Sequence, residues 1–227
     1  MNNWSLESEF CKLTDEANIE DALKKLHLLA QDESLSSIDV KNEWIRGGAE
    51  TYIYSFDLIS DKGNINPLIL KAYVPSFSAV SIEDGLHNIF KKRRAIEGYG
   101  NLSPQLYAFG NGVWIEKRIP FDLKERISIL TEDKTTFQNI INQLFLLAFT
   151  LDHLGFSSIS PFDDLRTDDV NIFVVDFGQD MGNPEMSSKS NGNLEKLLDW
   201  IGKLAIPITT DILERGKNVG NSIFLLS

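Results

Sequence analysis

The apolar residues of this chain repeat with two different periods, and the change between them limits its fold more than any other feature. Over residues 51–59, TYIYSFDLI, the residues Tyr52, Tyr54, Phe56 and Leu58 alternate with their neighbours. That is the spacing of a strand with one buried face. Over residues 135–154, Phe137, Ile140, Ile141, Leu144, Phe145, Ala148 and Leu151 return every three or four positions, the stripe of an amphipathic helix. One stretch calls for a sheet and the other for a helical layer. The pattern therefore predicts an α+β chain, β-rich first and helical afterwards.

The remaining segments fill in that outline. Ile19, Ala22, Leu23, Leu26 and Ala30 predict one helix over residues 15–31, followed by a polar bridge, SLSSIDV. The turn residues of SDKGNINP separate the first strand from a second, LILKAYV, so residues 47–74 read as antiparallel β. A charged helix is expected over 82–99, two strands about Gly110-Asn111-Gly112, a mobile loop over 182–193 and a last helix over 194–204. The natural break lies near Pro120. This divides the chain into a helical extension (1–40), a β-rich lobe (41–119) and a helical lobe (120–227).

Charge and composition narrow the function. The net charge of −11 argues against direct nucleic-acid binding across the surface. The KKRR run at residues 91–94 is the exception, and it reads as a solvated helix face rather than a phosphate site. The start, MNNWSLESEF, lacks the basic and apolar regions of a signal peptide. No apolar run approaches the roughly 18 residues of a membrane span. A single cysteine, Cys11, excludes an internal disulfide and fits a reducing, cytoplasmic setting. His27, His87 and His153 share no metal-ligand spacing, and DDLRTDD lacks the glycine and distal glutamate of a calcium loop.

Three features carry chemistry. Lys71 sits inside an apolar strand, where a lysine is either an edge residue with its amine in water or a ligand. Gly47 and Gly48, in RGGAETYIY, precede the strand that pairs with it, and glycines there let backbone amides approach phosphates. In NIFVVDFGQD, Asp176-Phe177-Gly178 puts a carboxylate at the end of a buried strand, as a turn or as a metal ligand.

In order, a glycine turn, a strand lysine, a helix, a hairpin, a long helix, an acidic loop, a strand and Asp-Phe-Gly resemble the protein kinase-like superfamily. The likeness spans roughly residues 44–200. In size and in Gly47-Gly48-Ala49-Glu50 it is nearest to the small atypical kinase of the KEOPS complex, with the RIO and aminoglycoside kinases as relatives. The resemblance implies a two-lobed fold with ATP and Mg²⁺ as cofactors. Lys71 would hold the α- and β-phosphates, the backbone of residues 114–118, with Glu116 and Lys117, would bind adenine, and Asp176 would bind Mg²⁺. The helix glutamate that pairs with the lysine would be Glu83, ahead of Glu97.

The catalytic loop admits two registers. In one, Asp164 is the base and Asp169 the metal residue, with six residues left before Asp176. In the other, Ser158 stands at the base position and Asp163 binds metal, with twelve residues before Asp176 and a hairpin turn at 167–169. A two-strand hairpin needs about eight residues, which favours the second. A serine cannot accept a proton as a carboxylate does, so Asp164 is the substitute base and the activity stays open. With 51 residues after Asp176, the acceptor would be small, or a protein partner would complete its site. The alternatives are a pseudokinase serving as a protein-interaction module and an unrelated α+β interaction protein.

Overall fold

Two short helices, rather than one, open the chain. The Ser5 hydroxyl accepts the Ser8 N–H and caps α1 (Leu6–Thr14), and Asp15 closes it in the left-handed conformation, φ 59°. Asn18 caps α2 (Ile19–Lys25) in the same way. The helix expected over 15–31 is thus bounded by Asp15 on one side and His27, φ 58°, on the other. Leu28 and Leu29 beyond it are still buried. Ala30, the last residue of the expected stripe, is exposed, so the helical spacing does not extend past the turn at His27. The structure, a computed structural model, describes residues 5–47, 51–74, 81–156, 161–178, 181, 192–204 and 208–224. Gly48, Ser158 and most of the loop expected at 182–193 lie outside them.

β1 (Leu35–Gly47), β2 (Thr51–Ser60), β3 (Ile65–Tyr73), β4 (Leu106–Gly110) and β5 (Val113–Lys117) form one antiparallel sheet in the order β1-β2-β3-β5-β4. The stretch taken for a polar bridge is the first half of β1. As an edge strand interrupted by irregular register it shows no clean alternation, and Val40 stands exposed. Asn111 and Gly112, at φ 50° and 85°, make the two-residue turn of the β4–β5 hairpin. Phe10, Ala22, Leu23, Phe56, Leu68, Leu70 and Ile115 form the core between the sheet and the first two helices, all fully buried.

α3 (Ile82–Glu97) follows β3. The rest comprises β6 (Phe121–Asp122), α4 (Leu123–Leu130), α5 (Lys134–His153), β7 (Leu165–Thr167), β8 (Ile172–Val174), α6 (Asn193–Lys203) and α7 (Thr210–Phe224). α5 is the centre of this part, with Ile140, Ile141, Leu144, Phe145 and Ala148 fully buried. α7 lies so close that a Cβ at Gly216 would stand 2.3 Å from Phe145. The Asp152 carboxylate accepts from the Asn193 and Leu194 N–H groups and so starts α6.

The chain is α+β, with antiparallel sheets. It divides into two units, Met1–Leu86 with Gln105–Arg118, and His87–Pro104 with Ile119–Ser227. α3 begins in the first and continues in the second. Among the described residues no helix is long and apolar enough to cross a membrane.

Candidate functional site

In the first unit β3 runs antiparallel to β5 with Lys71 opposite Trp114 and Ile69 opposite Glu116. Lys71 and Glu116 are therefore diagonal neighbours on one face, within reach of long side chains. The Lys71 Nζ lies 2.6 Å from Glu116 Oε1, with the two side chains 7% and 2% exposed. The ammonium also stands 5.9 Å from the centre of the Trp114 ring. A charge this deep persists only when paired.

The pairing expected with Glu83 is not the one present. Glu83 is exposed in the first turn of α3, where water and the helix dipole favour a carboxylate. Glu97 is held instead by Arg93 Nε at 2.8 Å and by the Ser103 hydroxyl. A strand neighbour meets Lys71 without any helix having to be brought to it, which is why Glu116 takes the place.

The residues expected as an adenine hinge have part of their backbone committed. The Lys117 N–H donates to the Gln105 carbonyl and the Arg118 N–H to that of Pro67. Lys117 itself is exposed. Gly47 ends β1 opposite Thr51. A second polar network on the sheet escaped sequence reasoning. Arg118 donates to Asp57 at 2.6 Å and to the Ser55 hydroxyl at 3.2 Å, and Lys41 lies 3.3 Å from Asp57. Its signal was the pair of polar residues, Ser55 and Asp57, interrupting an otherwise apolar strand.

In the second unit β8 stops at Val174, whose N–H donates to the Leu102 carbonyl. Asp176 lies two residues beyond, exposed, with Oδ1 accepting the Gly178 N–H at 2.8 Å. Phe177 is buried, its ring 5.8 Å from the Arg93 guanidinium, and Lys92 donates to the Gly178 carbonyl at 2.7 Å. Half of the KKRR run is therefore not a solvated face. Helical spacing puts Arg93 with Ile89, Phe90 and Ile96 on the buried side of α3, while Lys91 and Arg94 face water.

Asp163 and Asp164 are exposed in the turn before β7, Asp163 at 3.8 Å from Lys124 Nζ. Asp169 sits in the turn between β7 and β8 with φ 74°, the segment the longer register assigned to a hairpin turn. Arg126 holds it with two bonds of 2.8 Å while stacking 4.4 Å from the Phe121 ring. That hydrogen bonding keeps the Asp169 carboxyl below, and the Arg126 guanidinium above, their usual ranges. Asp169 is thus committed to a clasp between hairpin and α4.

Among the described residues no three His, Cys, Asp or Glu side chains gather as a metal-holding group. Mg²⁺ on a nucleotide takes one or two carboxylates and fills its shell with phosphate oxygens and water. Exposed, single carboxylates such as Asp163 and Asp176 fit that use. Lys71 and Glu116 belong to the first unit; Asp163, Asp164 and Asp176 belong to the second. No protein-family model matches the chain, and no curated protein matches it.

Proposed function

We propose that this chain is a two-lobed, kinase-like cytoplasmic protein that binds Mg·ATP and transfers a phosphoryl group to a small-molecule or protein acceptor. The observation that carries the proposal is Lys71, 6% exposed in the middle of a sheet and paired at 2.6 Å with Glu116. A sheet that needed only packing would be as stable with two apolar side chains there. Further support comes from the order of elements, in which a sheet lysine, a helix, a hairpin, a long helix and a small hairpin lead to the exposed carboxylate of Asp176.

In this assignment Lys71 contacts the phosphates and Glu116 orients it. Asp176, with Asp163, holds the metal, and Asp164 receives the acceptor's proton in place of a base at Ser158. Bound Mg²⁺ supplies neutralisation of charge on the phosphoryl oxygens.

The test is thermal unfolding with ATP, with and without Mg²⁺. At about 100 times its dissociation constant a ligand stabilises the folded state by about 2.7 kcal/mol, a shift of several degrees. The shift should require Mg²⁺ and vanish in Asp176→Asn. It should vanish also in the double variant Lys71→Met with Glu116→Leu, which avoids stranding a buried carboxylate. An undiminished shift in both variants sinks the proposal.

A second reading, a pseudokinase that works as a protein-interaction module, has its own observation. Phe121, Ile129 and Val170 are 37%, 49% and 58% exposed on the elements joined by the Arg126–Asp169 clasp. A single-turnover assay separates the two. An enzyme whose base is Asp164 loses about a hundredfold or more in rate on Asp164→Ala, whereas a module shows no transfer to lose.

A further inference from the structure

What fixes the direction of the Asp176 carboxylate is not strand β8, which ends two residues earlier. It is Gly178. The Gly178 N–H donates to Asp176 Oδ1 at 2.8 Å, and the Gly178 carbonyl accepts from Lys92 Nζ at 2.7 Å. Glycine has more backbone conformations open to it than any other residue, so a bond from its N–H orients Asp176 only if the glycine is itself held. Lys92 holds it on the carbonyl side. On the other side Phe177 is 5% exposed and lies against the Arg93 guanidinium. Arg93 is in turn rigid, 2% exposed and bonded to Glu97 and the Pro104 carbonyl. Two successive residues of α3 thus grip two successive residues of the Asp-Phe-Gly segment, and every one of them lies in the second unit.

We infer that Lys92 is a positioning residue, which acts through Gly178 to set the Asp176 carboxylate for a divalent cation. The inference rests on the reading of Asp176 as a metal ligand and extends it to a residue that touches neither metal nor nucleotide. Groups that orient a ligand carboxylate in this way change metal affinity by about ten- to a hundredfold when removed. Lys92 is half-buried, with its amine on a backbone carbonyl, so Lys92→Met keeps the apolar stem and deletes only the donor. Lys92→Arg restores a donor and a charge.

The experiment uses the full chain and two readouts. The first is amide hydrogen exchange of the segment 172–178 without nucleotide. Exchange at Gly178 should speed up in Lys92→Met and return toward the wild-type rate in Lys92→Arg. The second is the affinity for a fluorescent ATP analogue, titrated with Mg²⁺ and repeated in EDTA. Lys92→Met should raise the Mg²⁺ concentration needed for half-maximal tightening by about tenfold. Affinity in EDTA should stay within about twofold of wild type, and Lys92→Arg should recover most of the Mg²⁺ response. Unchanged exchange at Gly178, or an equal loss of affinity with and without Mg²⁺, overturns the inference. A wild type that responds to Mg²⁺ alongside a Lys92→Met variant that responds identically overturns it too, leaving Asp176 as ligand. A wild type whose nucleotide binding ignores Mg²⁺ overturns the metal role of Asp176 and, with it, this role for Lys92.

Discussion

Lys71 is stable where it is because Glu116 lies 2.6 Å away, and the reverse holds equally. Moving either charge out of water alone costs several kcal/mol, while the pair in place is close to neutral against apolar replacements. Glu116→Leu, which removes the carboxylate from beside a buried ammonium, should therefore lower stability by about 3–5 kcal/mol in urea unfolding. Adding Lys71→Met should recover most of that loss. If the single change costs no more than a surface substitution, the pair does not hold the sheet and its use as a phosphate contact loses its main support. Lys71 was visible in the sequence as a charge in an apolar run, but its partner was not. Which glutamate meets it depends on the register between β3 and β5, strands some forty residues apart along the chain. Lys92 and Arg93 were hidden for a similar reason. A run of four cations looks solvated until the helix is turned so that Ile89 and Ile96 are inside, and Arg93 follows them in.

The β7–β8 hairpin shows what an element needs beyond its own residues. Each strand has three residues, too few for a period to appear in the sequence, so the hairpin was inferred from length and turn chemistry. Asp168 accepts the Val170 and Asn171 N–H groups and shapes the turn, and the Arg126–Asp169 clasp ties it to α4. The folded Asp169 carboxyl titrates below its unfolded value, so the stability it contributes is present above about pH 4 and is lost as pH falls through the folded value. The gap in urea midpoint between wild type and Asp169→Asn should accordingly be widest at neutral pH and narrow as the pH is taken below about 4. A gap that does not change with pH would show that the clasp contributes nothing through its charge. β6, α4 and α7 were not read from the sequence at all. α7 carries two glycines, Gly216 and Gly220, in a polar stretch of weak helix propensity, and its helical form depends on packing against α5 at Phe145.

Across the whole chain, 33 acidic residues face 22 basic ones, so the folded protein repels itself on average. Raising salt from about 20 to about 200 mM shortens the screening length to below 10 Å, and the melting temperature should rise by about 2 °C. A fall would mean that favourable surface pairs such as Lys203–Asp199 outweigh the net repulsion. By itself the sequence determined the α+β class, the placement of α3, α5 and α6 to within one or two residues, the hairpin at Asn111-Gly112 and the oddness of Lys71 and Asp176. Periodicity, capping and turn chemistry act within a few residues, and a linear string records them. Only the tertiary structure decided that Glu116 rather than Glu83 meets Lys71, that Asp169 closes a clasp, and that α3 reaches Gly178. Those choices are made by strand register and helix rotation, which are settled by burying the whole core at once.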